Sequence, residues 1–255
     1  MPAARDEPPF PPQVIPRPSG ARPGGPAPWA SLDPLDRRQV SVARVVAALR
    51  TAGLGGAVAP VSSPSAEHGV MVLDTAEPTL TMAPSAVLVA LFEEGGEARV
   101  ILTRRSARLR SHTSQVSFPG GRMEPGEDAA ATARREAQEE IGLDGPLELV
   151  GWLHPVQTLA SGSLISPVVA VLPARPHLVA NPDEVDRIFD VALADLAADG
   201  VFHEERWSRP DLLDPASADG SFPVWFFEVA GETVWGATAR MLYELVALAV
   251  DATTA

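Results

Sequence analysis

Apolar and polar positions alternate differently along the chain, and the changes of pattern mark its elements. Ser85 to Phe92 is a continuous apolar run suited to a buried strand, and Glu94-Gly95-Gly96 predicts a turn into a second strand over Arg99 to Thr103. Leu147 to Leu153 and Ile165 to Leu172 read as two further strands, and Phe222 to Val229 as a late one. Between these groups Ala130, Ala133, Ala137 and Ile141 recur at helical spacing, so small side chains would let a helix lie close on a sheet. Val185 to Leu196 reads as helical in part, and Gly236 to Ala249 as a closing helix. Strands on both sides of a central helix, with a terminal helix after them, predict an α/β fold, an α/β/α sandwich with a mixed β-sheet, over residues 83–255.

The earlier part of the chain has another character. Residues 1–30 are rich in proline and glycine and predict a disordered or extended tail, with docking on the domain or a partner as the alternative. Residues 31–82 predict an N-terminal helix and a linker. Asp33 to Arg50 reads as one amphipathic helix with Val40, Val45, Val46 and Leu49 as its core positions, and Gly53 to Pro64 as linker.

Composition narrows the function classes. The 255 residues hold no cysteine, which excludes disulfides, thiolate metal sites and cysteine nucleophiles. The formal charge is −13, all twenty basic residues are arginine, and no basic stripe or basic amphipathic helix points to nucleic acid or a membrane surface. No apolar run reaches membrane-spanning length, and the N-terminus lacks the pattern of a signal peptide, so the expected location is cytoplasmic. Oligomeric state is left open, a homodimer included.

The candidate chemistry lies between Gly121 and Leu143. Pro125-Gly126 breaks the chain, Glu127 and Asp128 stand where a helix dipole favours negative charge, and Gly142 stands where a left-handed cap ends a helix. Within that helix Glu136, Glu139 and Glu140 fall at i, i+3 and i+4, neighbours on one face. Like charges so placed repel, and a hard divalent cation such as Mg²⁺, which prefers carboxylate oxygen, reverses that cost. Just upstream, Arg104, Arg105, Arg108 and Arg110 fall within seven positions, with Arg122 beside the glycines. In a strand Arg104, Arg108 and Arg110 would share one face and Arg105 the other, so they cannot all serve one ligand; guanidinium groups here suit a phosphate substrate or a guarded sheet edge.

These residues carry a resemblance. Gly121, Glu127, Arg135, Glu136, Glu139, Glu140, Gly142 and Leu143 match the signature of the Nudix hydrolases, with Ala137 where a larger aliphatic is usual. Arg105, Ser106, Arg110 and Phe118 to Gly121 resemble the additional motif of its coenzyme A pyrophosphatase branch, with Ser114 in the place of a glycine. Asn181-Pro182-Asp183-Glu184-Val185 and Val234-Trp235-Gly236-Ala237-Thr238-Ala239 resemble later sections of the same branch.

The resemblance implies the Nudix fold and Mg²⁺- or Mn²⁺-assisted hydrolysis of a small-molecule nucleoside diphosphate. The substrate would be coenzyme A or a derivative, cut to 3′,5′-ADP and 4′-phosphopantetheine. It implies Glu136, Glu139, Glu140 and the Gly120 carbonyl as metal ligands, Arg135 as the residue that orients the carboxylates with Glu127 as its partner, and Arg105, Arg110 and Phe118 on the substrate; His112 reads equally as a substrate contact or as an ordinary exposed loop histidine. Glu184 is either an extra carboxylate, as ligand or base, or an ordinary first-turn glutamate, and the base could instead be Glu136. Trp235 reads as core. Other readings are a Nudix enzyme for ADP-ribose or NADH, and a nucleotide sensor without catalysis.

Overall fold

The computed structural model describes residues 10–56, 82–109, 113–158, 162–208 and 220–251. Its centre is the parallel pair β2 (Ala83–Glu94) and β8 (Ser163–Val171), in register from Ala83↔Ser163 to Leu91↔Val171. Strands covered on both faces must be apolar on both, which is why the run from Ser85 to Phe92 does not alternate. Ala86, Leu88, Ala90 and Phe92 face one core, and Val87, Val89 and Leu91 the other. β3 (Glu97–Arg105) joins β2 by the expected hairpin, and β9 (Val185–Ala192) adds to the outer edge of β3. β6 (Glu148–Trp152) and β7 (Val156–Thr158) pair with β8, while β4 (Val116–Ser117) pairs with β3 and β5 (Gly120–Arg122) with β2. All these pairs except β2–β8 are antiparallel, so the eight-stranded sheet is mixed.

Helices cover both faces. α3 (Ala129–Ile141) packs Ala133, Ala137 and Ile141 on the first core. Its N-cap Asp128 accepts from Ala131 N–H at 2.8 Å, and Gly142 closes it at φ 63°. On the other face lie α2 (Val42–Thr51) and α5 (Gly236–Ala249), which completes the α/β/α sandwich. Among the described residues no helix is long and apolar enough to cross a membrane.

Three segments differ from expectation. Val185 to Leu196 is mostly strand: β9 runs to Ala192 and only α4 (Leu193–Leu196) is helical. Phe189 and Val191 enter one core and Ile188 packs on the other, a period-2 pattern set by pairing to β3. Asp33 to Arg50 is two helices, α1 (Pro34–Arg38) and α2, capped separately by Asp33 and Ser41. The break falls at Val40, whose carbonyl accepts Ala98 N–H at 2.7 Å and so cannot stay in a helix. Of the expected linker, residues 57–64 lie outside the described residues.

The third difference is the tail. A second, antiparallel sheet forms from β1 (Arg22–Pro23), β10 (Phe202–Ser208), β11 (Ser221–Val229) and β12 (Glu232–Trp235). Its inner face joins the main core, and its outer face carries Trp207, Val224 and Phe226. Ile15 and Ala21 cover that outer face, Arg17 lies over the Phe226 ring, and β1 extends the sheet. Trp29 then enters the main core, 1% exposed, against Phe202, Phe227 and Tyr243. Residues 10–31 are therefore laid on the domain rather than disordered, because a few apolar side chains find an apolar face to cover.

A buried ion cluster joins the two sheets. Arg104 of β3 pairs with Glu232 of β12, which also takes Arg187 of β9 at 3.1 Å; Arg104 further donates to the Pro11 carbonyl. At the far side, His154 donates its backbone N–H to Glu244 of α5 and sets Nδ1 2.6 Å from the same carboxylate.

Two outcomes follow from this packing. Trp29→Ala should lower stability by about 3–5 kcal/mol, measured by urea denaturation. The hydrogen bond to Glu244 raises the His154 pKa against the opposing effect of burial. Folding thus favours the protonated ring, a contribution complete below the unfolded pKa of about 6.5 and lost as pH rises through the higher folded value. His154→Gln should flatten the fall of Tm with pH above about 6.5, followed by thermal melts across that window.

Candidate active site

The β4–β5 turn and α3 build the site together. Gly120 pairs with Val87 so closely that a Cβ would lie 2.4 Å from the Ala86 carbonyl oxygen and 2.6 Å from Val87 Cα. A Cβ on Gly121 would lie 2.4 Å from Glu136 Oε1. These two glycines let the strand edge approach both β2 and the carboxylates of α3.

Arg135 organises those carboxylates. Its Nε reaches Glu127 Oε1 at 2.7 Å, one terminal nitrogen reaches Glu136 at 2.9 Å and Glu139 at 3.1 Å, and the other donates to the Arg122 carbonyl. The Arg135 hydrogen bond, helped by Glu124 N–H and the Thr132 hydroxyl, holds the Glu127 carboxyl down at about 2, so its charge is permanent. Glu136 moves the other way: burial raises it, the charges of Glu139 and Glu184 add to that, and Arg135 opposes.

Glu140 is the most enclosed of the set, at 2% exposure. One oxygen accepts Gly120 N–H at 3.2 Å and the other lies 3.4 Å from Arg105. Burial pushes its carboxyl up to about 7, with Arg105 and the Gly120 N–H opposing and Glu136 and Glu184 adding. Arg105 stands at the end of β3, and its Nε is buried without a hydrogen-bond partner among the described residues.

Glu184 enters from outside the helix. Asn181 N–H donates to the Glu140 carbonyl and Val179 N–H to that of Ile141, so this segment satisfies the open C-terminal end of α3. The Glu184 backbone then accepts Ser106 N–H at 2.8 Å, which fixes it beside the end of β3. Glu184 is legible in the sequence, whereas the capping by Val179 and Asn181 is made by backbone N–H groups and leaves no side-chain signal there.

The other expected residues scatter. Arg110 and His112 lie outside the described residues. Arg108 and Arg122 are exposed, and Arg104 is buried on Glu232. Phe118, expected on the substrate, is 1% exposed in the main core; it anchors the turn that carries Gly120. Trp235 is partly buried against Trp207 in the outer cluster of the second sheet. Ser114 adopts φ 58°, the conformation that glycine takes easily, while its N–H donates to the Arg105 carbonyl.

The donors suit a hard cation: Glu136, Glu139, Glu140 and Glu184 offer only oxygen, and the first and third carry raised pKa values that a nearby cation would relieve. Among the described residues no three acidic or histidine side chains converge at ligand distance. The reason is visible, since Glu136 and Glu139 are turned onto Arg135 and Glu140 onto Gly120.

The two glycines predict separable effects. Gly120→Ala meets backbone and should destabilise the protein by about 1–3 kcal/mol, seen as a lower urea midpoint. Gly121→Ala meets only the mobile end of Glu136, so stability should hold while Mn²⁺ affinity, measured by calorimetry, falls about tenfold or more.

Comparison with known proteins agrees with this architecture. A model of the NUDIX domain matches residues 82–214, more than half of the chain. A Photorhabdus laumondii protein named uncharacterized Nudix hydrolase NudL is 36% identical over 148 residues, 57% of this chain and 74% of its own. The protein of the same name from Citrobacter koseri is 35% identical over 169 residues, 66% of this chain and 83% of its own. Nudix hydrolase 3 of Caenorhabditis elegans is 31% identical over 196 residues, 73% of this chain and 80% of its own. With the glycine turn, the Arg135 clamp and the acidic face of α3 all in the matched region, the chain belongs to the Nudix family and is a Nudix hydrolase, of a family that acts on nucleoside diphosphate derivatives with divalent metal ions.

Proposed function

We propose that this hydrolase cleaves the diphosphate bond of coenzyme A or an acyl derivative, releasing 3′,5′-ADP and 4′-phosphopantetheine or its acyl form. The observation that carries the reading is Arg105. It belongs to the stretch resembling the coenzyme A branch, and it ends β3 beside Glu140 with a donor unspent. A guanidinium there can bind phosphate oxygens in pairs while the carboxylates serve the metal.

In this reading Glu136, Glu139, Glu140 and the Gly120 carbonyl hold Mg²⁺ or Mn²⁺. The cation would offset the diphosphate charge and supply Lewis acidity. Glu136 and Glu139 must turn from Arg135 to do so, and Arg135 retains Glu127, which keeps the guanidinium in place. Glu184, fixed by its backbone beside both helix carboxylates, accepts the proton of the attacking water, with Glu136 as the other candidate base. Arg110 and His112 complete the substrate side.

A product assay with Mg²⁺ or Mn²⁺ tests the substrate. Coenzyme A, acetyl-coenzyme A, ADP-ribose, NADH and diadenosine polyphosphates are offered side by side. Release of 3′,5′-ADP from coenzyme A well above other cleavages is the expected result, and preference for another compound would discard the substrate but keep the chemistry. Glu140→Gln should fold normally, because burial already disfavours the charge, yet lose about a hundredfold or more in kcat. Arg105→Ala should act mainly on KM; an unchanged KM would count against a phosphate contact.

A further inference from the structure

Arg240 stands apart from the other buried arginines. It lies on the second turn of α5, half-buried, with its guanidinium carbon 4.9 Å from the centre of the Trp225 ring. Trp225 is itself stacked on Tyr243 at 4.8 Å and 20°. Among the described residues Arg240 has no hydrogen bond and no ion pair. Arg37, Arg99, Arg104, Arg135 and Arg187 all have carboxylate partners.

The carboxylates near Arg240 are already committed. Glu244, one turn further along α5, receives both the backbone N–H and Nδ1 of His154. Glu204 accepts Trp225 Nε1 at 3.2 Å and lies 3.8 Å from Arg206. Burial pulls the Arg240 pKa down, the mark of a cation removed from water without full compensation. A fold under selection for stability alone would pair or replace such a group.

Its place relative to the carboxylates of α3 gives it a use. α5 begins at β12, which touches β4 on the way to Gly120, and further along α5 touches β7. Across the sheet Gly120 pairs with Val87, Val87 with Pro167, and the Pro167 carbonyl accepts Leu153 N–H. Three strand spacings, roughly 14 Å, thus separate Gly120 from the backbone before His154. Arg240 lies one turn nearer the start of α5 than Glu244, on a helix that meets β12 at its start and also touches β7. α3 and α5 lie on opposite faces, so a ligand that reaches both passes the end of the sheet where Ala83 and Ser163 begin β2 and β8.

We propose that Arg240, held over the Trp225 ring, forms a second anion site that binds a phosphate monoester carried by the substrate apart from its diphosphate. A cation–π contact with the indole restrains the guanidinium, whose N–H groups have no partner among the described residues and can meet phosphate oxygens. The proposal rests on the reading of this enzyme as a hydrolase of an elongated nucleotide diphosphate. It makes Arg240 the residue that separates substrates with an extra phosphate from those without one.

The test compares coenzyme A with 3′-dephospho-coenzyme A, which share the diphosphate and differ in one phosphate monoester. In the wild type kcat/KM should favour coenzyme A, and Arg240→Met should reduce that ratio roughly ten- to a hundredfold. Arg240→Lys keeps the charge without the fork and should retain part of the preference. Calorimetry with 3′,5′-ADP and 5′-AMP asks the same question without turnover, and Arg240→Met should erase the margin between them. A wild type that cleaves neither compound would discard the coenzyme A reading, while the calorimetric margin would still decide the role of Arg240. A margin absent from the wild type, or intact in folded Arg240→Met, would overturn the proposal.

Discussion

Three glutamates on neighbouring positions of one helix face are a concentration of negative charge that the rest of this structure must accommodate. Arg135 carries the largest share, since one guanidinium spans Glu127, Glu136 and Glu139 and also meets the Arg122 carbonyl. Glu140 is handled differently, by burial against a backbone N–H with a distant arginine. The glycine turn exists to allow this, because any side chain on Gly121 would strike Glu136. Even the segment around Asn181 serves it, by capping the helix end and setting another carboxylate beside the first group.

Much of that centre was legible in the sequence because its constraints are local. The spacing of Glu136, Glu139 and Glu140, the alanine face of α3, the cap at Gly142 and the apolar run of β2 each follow from the period of one element. What was not legible depends on partners distant in sequence. β9 looked helical in part, with Glu184 suited to a first turn, while its actual conformation is set by pairing with β3. β10 carries few apolar residues and becomes a strand only between β1 and β11.

The same reasoning explains the reassigned side chains. Arg104 and Arg105 point to opposite faces of β3 as strand alternation requires, but only the structure shows that one enters a buried cluster with Glu232 and the other faces Glu140. Phe118 belongs to the stretch resembling the branch motif and turned out to be a core anchor, since a motif position reports a needed residue without reporting which surface needs it. Ser114 is the reverse case: the glycine of the pattern is missing, but the backbone angle that glycine would serve is kept at φ 58°.

Trp29 gives the architecture an unexpected boundary. The region recognised by the family model, residues 82–214, excludes Trp29, α2 and α5, yet α2 and α5 cover one face of the central sheet and Trp29 belongs to the same core. The segment that the family model spans and the apolar core that closes around it are therefore different lengths of this chain. A fragment trimmed to residues 82–214 would keep every carboxylate of α3 and expose the apolar face of β2 and β3, trading a catalyst for an aggregating sheet.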